Sequence, residues 1–309
     1  MKVVALAGGT GGAKLAAGLQ EIAGENLTVI ANTGDDIETL GVYVSPDPDL
    51  CTYWLSDQID EEQGWGIRGD SYTAFERLKA LGAPDWFGLS DRDLALCLER
   101  RRRLDRGDRI TSIATEFAHA LGVRATVLPM CDEPVRTRVR TPAGWREFQE
   151  YLVHDHAGPP IEEVEFAGIG DASLSEEVRA AIESADAIVI GPSNPVISIG
   201  PILAVPGMSE LLAGARAPVV AVSPFVAGEV IKGPTDKFMR AIGRDPTAAG
   251  VASAYADVID ALVVDAADPD ADPVVEGVDT TRFDTLMDGP DARREVAGLT
   301  LDYAASIPG

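Results

Sequence analysis

A short apolar strand, Met1 to Leu6, runs straight into Gly8-Gly9-Thr10-Gly11-Gly12-Ala13-Lys14, and Leu15 to Ile22 then reads as a helix. Strand, glycine-rich turn and helix start constrain this chain more than any other stretch. Glycines let backbone approach a ligand closely. The N–H groups of a helix's first turn lack intrahelical acceptors, and the helix dipole favours negative charge there. The predicted ligand is therefore phosphate-bearing, most simply a nucleotide. The pattern is not a complete Walker loop, because Leu15 follows Lys14 where Ser or Thr is needed. Nor is it a full dinucleotide fingerprint, because Lys14 stands where the register starting at Gly9 needs its last glycine.

Other strands repeat the arrangement. Leu27 to Ala31 ends in Asn32-Thr33-Gly34-Asp35-Asp36. Ala187 to Ile190 is uniformly apolar, as in a strand buried on both faces, and ends in Gly191-Pro192-Ser193-Asn194-Pro195. Pro218 to Val222 leads into Ser223-Pro224-Phe225, and Ala261 to Asp265 is the last predicted strand. Helices are expected at Leu174–Ser184, Met208–Gly214, Pro246–Tyr255 and Asp291–Ser306. This alternation predicts an α/β fold: a Rossmann-like, doubly wound, mostly parallel sheet whose strand-end loops share one edge. Between about 65 and 165 the alternation breaks. Helices at Ser71–Leu81, Ser90–Leu104 and Thr111–Leu121 precede strands at Arg124–Leu128, Val135–Arg140 and Trp145–Val153. The expected organisation is a nucleotide-binding core of 1–64 and 166–309, with an inserted helical and β-hairpin region, 65–165, over the substrate cleft.

Asp35 and Asp36, just after a parallel strand, are candidates for Mg²⁺ or a sugar hydroxyl. The prolines of Ser45-Pro46-Asp47-Pro48-Asp49 argue against a helix interior, so this stretch is expected to be a loop carrying two more carboxylates. Trp65 and Trp86 offer flat faces, with core packing an equal alternative. Arg100 to Arg103 are expected on a solvated helix face, and His119 is expected to be structural. His154-x-His156 lacks a third ligand and is expected in a solvated loop, as is the acidic Ala266–Asp272. Cys51, Cys97 and Cys131 form no Cys-x-x-Cys pair and are expected to be idle thiols.

The net charge is −24, with only five lysines. Such acidity argues against nucleic-acid binding. It also requires that a phosphate ligand meet a locally positive site or Mg²⁺. An acidic, lysine-poor surface suits high salt, where repulsion is screened, so a salt-adapted, halophilic source is expected. There is no uninterrupted apolar run of about 18 residues for a membrane span and no signal pattern, so a cytoplasmic location is expected.

The loops resemble the 2-phospho-L-lactate transferase (CofD) family along the whole chain and in order. The matching stretches are Ala7–Lys14, Asn32–Asp36, Ser45–Asp49, Trp65–Ile67, Asp91–Ala95, Gly191–Ile202 and Asp284–Met287. The run from Gly191-Pro192-Ser193-Asn194-Pro195 to Ser198-Ile199-Gly200-Pro201-Ile202 is the most specific. One departure is Pro46-Asp47-Pro48-Asp49-Leu50 where the family usually has Pro-Asp-Leu-Asp-Thr.

The resemblance implies transfer of a 2-phospho-L-lactyl (or phosphoenolpyruvyl) group from its guanosine diphosphate conjugate. The acceptor is the deazaflavin Fo (7,8-didemethyl-8-hydroxy-5-deazariboflavin). GMP is released and coenzyme F-420-0, or its dehydro form, results; Mg²⁺ is required and a homodimer is implied. By the same resemblance Gly8, Gly9, Thr10, Gly11, Gly12 and Lys14 hold phosphates, and Asp35 and Asp36 hold Mg²⁺. Asp49 and Arg92 meet Fo, with Asp49 a candidate base and Asp36 counted in the catalytic set. Ser193 and Asn194 take the nucleotide; Asn32, Trp65 and Ser198 complete the substrate-binding set. The alternative is a CofD-like regulatory protein that binds a nucleotide-sugar. Its relatives carry Asp-Asp-Gly-Gly-Ser where this chain has Asp35-Asp36-Ile37-Glu38-Thr39.

Overall fold

The computed structural model describes residues 1–269 and 275–307. β1 (Val3–Ala7), α1 (Gly9–Ala23) and β2 (Leu27–Ala31) form the first βαβ unit, followed by the hairpin β3 (Ile37–Thr39) and β4 (Val42–Val44). Four helices, α2 (Pro46–Leu55), α3 (Thr73–Ala80), α4 (Asp91–Leu104) and α5 (Ile110–Ala120), lead to β5 (Thr126–Pro129). β6 (Arg136–Thr141), β7 (Gly144–Glu147) and β8 (Glu163–Ala167) make a separate antiparallel sheet. Next come α6 (Glu176–Glu183), β9 (Ala187–Ile190), α7 (Gly200–Ala204), α8 (Met208–Ala213) and β10 (Val219–Val222). The hairpin β11 (Phe225–Val226) and β12 (Glu229–Val230) precedes α9 (Thr235–Ala241) and α10 (Ala248–Tyr255). β13 (Ala261–Asp265), β14 (Asp279–Phe283) and α11 (Gly289–Ser306) close the described chain.

The main sheet has seven strands in the order β14-β13-β10-β9-β1-β2-β5, every pair parallel. The chain winds one way from β1 to β5 and the other way from β9 to β14. The reversal falls between β1 and β9, whose C-terminal loops are the glycine turn and the Gly191–Pro195 segment. A crevice forms at such a point because neighbouring crossovers depart in opposite directions. Alternate residues of β1 serve different layers. Val3, Ala5 and Ala7 pack with α1, α2 and α11, whereas Val4 and Leu6 pack with α6, α8, α9 and α10. The last helix lies directly on the first. At Gly18 a Cβ would collide with the Arg293 carbonyl, so glycine is what lets α1 and α11 approach.

Several expectations need correction. Ser45–Asp49 is not a loop: Pro46 opens α2, and Asp47 and Asp49 lie in its first turn. Proline is tolerated there because first-turn N–H groups have no intrahelical acceptor. The strand expected over Trp145–Val153 ends at Glu147, and Glu150–His154 forms a π-helical turn. β5 lies inside the 65–165 interval yet pairs with β2, so that interval supplies the sheet's edge strand. β8, β14, α7 and α9 were not expected; β14 (Asp-Thr-Thr-Arg-Phe) is a polar edge strand without an apolar run. Of the acidic Ala266–Asp272 loop, 270–272 lie outside the described residues. Among the described residues no helix is long and apolar enough to cross a membrane.

Candidate active site

A cleft of about 760 Å³ opens at the C-terminal edge of the sheet, over the crossover reversal. The glycine turn forms its floor. α1 begins at Gly9, whose φ of +63° suits glycine, so the glycines are themselves the helix's first turn. Close approach is required against the loop after β9. A Cβ on Gly8 would sit 2.7 Å from Ser198 Cβ, one on Gly12 would sit 2.5 Å from Ser193 Oγ, and one on Gly11 would collide with the Pro192 carbonyl. Gly8 N–H reaches Ser193 Oγ at 3.4 Å. Gly9 N–H donates to Asp47 Oδ1 at 2.7 Å, so a carboxylate of the chain itself sits at the helix N-terminus. Thr10 and Gly11, the next residues of that turn, line the cleft.

Asn32 is fully buried and ties three segments together. Its amide donates to Asp47 Oδ2 at 2.9 Å and to the Ile197 carbonyl at 3.2 Å, and its Oδ1 accepts Gly34 N–H at 2.7 Å. Asp35 lines the cleft beside this knot. Its Oδ1 is buried without a hydrogen-bond partner among the described residues. Burial, then the charge of Asp47, push its carboxyl well above the ordinary range. Burial likewise raises Asp47 to about 6, against the Gly9 N–H and the Asn32 amide.

Asp36 points elsewhere. Tyr43 donates to its Oδ2 and Ser45 to its Oδ1, both at 2.8 Å, and it does not line the cleft. Burial raises it to about 7 in spite of Arg136, whose guanidinium lies over the Tyr43 ring. Both oxygens are thus already held by hydroxyl groups.

Asp49 is 6 % exposed and lines the cleft. Arg100, 2 % exposed, donates to its Oδ1, while Oδ2 has no partner. Burial raises Asp49 to about 6, with Arg100 opposing. Asp93 also lines the cleft and accepts from the Tyr53 hydroxyl at 2.8 Å. Asp49, Asp93 and Cys97 bring one ligand atom each within 4.8 Å of one another, a grouping able to hold a metal ion. Arg100 already places a guanidinium there, 3.9 Å from Cys97 Sγ.

The expected residues therefore divide. Gly8, Gly9, Thr10, Gly11, Lys14, Asp35, Asp49, Trp65, Ser193, Asn194 and Ser198 come together around one cleft. Gly12 and Asn32 support it from behind. Arg92 does not reach it: its side chain is 62 % exposed, with Nε 3.9 Å from Asp70. Trp65 is 49 % exposed on the rim, whereas Trp86 packs edge-on to Phe87 and His154. Asn194 accepts Val196 and Ile197 N–H through Oδ1, leaving its buried Nδ2 without a partner. Asp93 of the Asp91–Ala95 stretch also lines the cleft, as do Tyr53, Gln149 and Lys232, which no motif singles out, with Arg100 behind. A helical count would have found part of this set. Asp93, Cys97 and Arg100 stand at i, i+4 and i+7 on one face of α4, and Arg92 stands off it.

Two carboxylates, Asp35 and Asp47, lie within each other's field with raised pKa values, and among the described residues no cationic side chain is bonded to either. That donor set fits a hard divalent cation. Both oxygens of Asp47 accept hydrogen bonds, from Gly9 N–H and the Asn32 amide, yet Asp47 lines the cleft and each oxygen keeps a second lone pair; Asp36, held by two hydroxyls and not lining the cleft, fits a supporting position. All three cysteines are buried.

Residues 3–298 match the family described as 2-phospho-L-lactate transferase CofD. The chain is 40% identical over 298 residues to a protein of Methanosarcina acetivorans named 2-phospho-L-lactate transferase, covering 96% of each. It is 41% identical over 317 residues to a protein of Kitasatospora aureofaciens named phosphoenolpyruvate transferase, covering 99% of each. A solved structure from Bacillus halodurans, described as a UPF0052 family member, shares the fold with a TM-score of 0.62 at 20% identity, over 97% of this chain and 98% of that one.

Proposed function

The chain belongs to the 2-phospho-L-lactate transferase (CofD) family, and from that premise we propose that it moves a phospholactyl or phosphoenolpyruvyl group from a guanosine diphosphate conjugate to the ribityl hydroxyl of Fo. The acceptor oxygen forms a bond to phosphorus, and the phosphorus–oxygen bond to GMP breaks. Such a displacement needs alignment and charge neutralisation more than a covalent nucleophile. One observation carries the reading: the phosphate-type turn, the buried acids and an aromatic rim all face a single cleft at the crossover reversal.

Asp49 Oδ2 is the group we assign to accept the hydroxyl's proton. It is buried, lacks a partner and has a pKa pushed up to about 6, near the working range of a general base. Arg100 holds the other oxygen and fixes the carboxylate's direction. Asp35 and Asp47 would hold Mg²⁺, which when bound supplies charge neutralisation at the leaving phosphate. Asp36 braces β3–β4 behind them. Ser193 and Asn194 would take the nucleotide, and Trp65 would cover the flat deazaflavin. Residues 65–165, other than β5, serve as the cover over the acceptor.

The test is titration by intrinsic Fo fluorescence, with GDP and Mg²⁺ present and then absent. Micromolar Fo binding that responds to GDP is expected, followed by turnover whose product mass reports the donor. A protein that ignores Fo but binds a nucleotide-sugar would instead be the regulatory binding protein.

We also assign the protein to the cytoplasm, as a homodimer adapted to salt. Screening of its −24 charge should raise the melting temperature between dilute buffer and about 1 M KCl, where the Debye length falls to about 3 Å. A melting temperature highest in dilute buffer would remove the salt adaptation. Light scattering during the same series reports the dimer.

A further inference from the structure

The cleft lining carries five aspartates and two lysines. Asp35, Asp47, Asp49 and Asp93 line it on one side, and Lys14 and Lys232 line it together with a fifth carboxylate, Asp288, next to the Met287 carbonyl that Lys14 bonds. The chain has only five lysines, so two of them on one cleft is a concentration of a scarce residue. Both ammonium groups are bonded to carbonyls: Lys14 Nζ to Met287 at 3.4 Å and Lys232 Nζ to Gln63 at 3.1 Å. Among the described residues neither has a carboxylate within 4.0 Å, although the chain carries 50 acidic residues.

Their positions are built. Lys232 Nζ stands 2.5 Å from where a Gly64 Cβ would be, and Gly64, at φ +72°, leaves that place open. The Gly64 carbonyl accepts from the Thr10 hydroxyl at 3.3 Å. Thr10 and Lys14 are four residues apart on α1 and so share a face. The Gln63–Gly64 turn therefore links Lys232 on the rim to the glycine turn on the floor. Cover over the Lys232 ammonium, and then the charge of Lys14, draw its pKa below the ordinary lysine value. Two cations within each other's field are relieved when an anion arrives. The helix N-terminus is less available for that anion, because Asp47 already takes the Gly9 N–H.

Resting on the transferase reading above, we propose that Lys14 and Lys232 form a second anion subsite, which takes the phosphorylated three-carbon acid end of the donor. Its phosphate and its carboxylate are both oxyanions that an ammonium pair would bind.

Calorimetric titration of the full chain, at fixed salt with Mg²⁺, would use four probes: GDP, phosphoenolpyruvate, 2-phospholactate and lactate. Lys232→Met and Lys14→Met should each weaken phosphoenolpyruvate and 2-phospholactate by about tenfold, as expected for loss of a charge-assisted contact. Lys232→Arg should retain most of the affinity. Lys79→Met, which removes a partner of Glu76 on α3, should change nothing. Weakened lactate binding assigns the pair to the carboxylate; weakened GDP binding assigns it to phosphate. Lys232 sits on the rim and among the described residues bonds a carbonyl and no carboxylate, so its variant tests the idea even if Lys14→Met fails to fold. Unchanged affinities in a folded Lys232→Met protein would overturn the subsite and leave the transferase reading standing. A wild-type protein that bound none of the four probes would overturn both.

Discussion

On the proposed metal role of Asp35, Asp35→Asn is expected to lower turnover by about three orders of magnitude while Fo binds as in the wild type, because several kcal/mol of metal-supplied charge stabilisation would disappear at about 1.36 kcal/mol per tenfold. The substitution keeps the shape and removes the charge. Asp35 has a buried oxygen without a partner and faces Asp47 across a site with no bonded cationic side chain. The same argument predicts a second effect of opposite sign. Without metal, the Asp35 carboxylate is a burden on the fold, so the Asp35→Asn protein should melt above the wild type in EDTA. Adding Mg²⁺ should raise the wild-type melting temperature and leave the variant's unmoved. Near-normal rates for the variant in limiting Mg²⁺ would take Asp35 out of the metal role.

Arg100→Met is expected to destabilise the fold by about 3–5 kcal/mol, the usual cost of stranding one member of a buried ion pair. Asp49 would keep its buried carboxylate and lose the guanidinium that now holds it. The loss should depend on pH. In the folded protein Asp49 is already raised to about 6, and Arg100 is what opposes the rise. Removing Arg100 moves the folded pKa further above the unfolded value of about 3.9. A group raised in the folded state weakens the fold increasingly as pH climbs past its unfolded pKa, so the deficit should be larger at pH 8 than at pH 5. Denaturant melts at the two values measure this. A double variant, Arg100→Met with Asp49→Asn, should recover much of the stability, because no charge is then left unpaired. Equal deficits at both pH values would show that the lost packing over Phe117, not the stranded charge, dominates.

Uniform apolar runs made the sheet legible. β2 was expected at Leu27–Ala31 and β9 at Ala187–Ile190, and both occupy those residues. A strand buried on both faces leaves a signature that needs no partner to interpret. β14 and β8 are edge strands of mixed polarity, and their pairing is decided by neighbours distant in sequence. Pro46 and Pro48 misled because proline excludes a helix interior but not a helix start. In the cleft, the turn, Asp35 and Ser193 were legible because each lies in the segment after a strand, and Asp49 because it stands in an acidic, proline-bearing stretch that resembles the family's. Arg100 was not: within a run of four arginines only the helical phase relative to Asp49, 51 residues away, singles out the buried one. Lys232 likewise meets the glycine turn only through the fold.

The close contact of α1 with α11 bears on how the protein is made. The glycine turn is synthesised long before α11, yet the helix it begins is covered by that helix. Until Arg293 and Ala297 have left the ribosome, Leu15 and Leu19 on α1 lack part of the surface they pack against. The nascent chain must therefore carry its glycine turn and α1 half-assembled until α11 is made, with apolar surface open to aggregation. Ribosome-stalled chains ending before 289 should bind chaperones and resist no protease, and protection of the N-terminal segment should arrive only as α11 emerges. Contact between elements as far apart in sequence as α1 and α11 also predicts slow refolding.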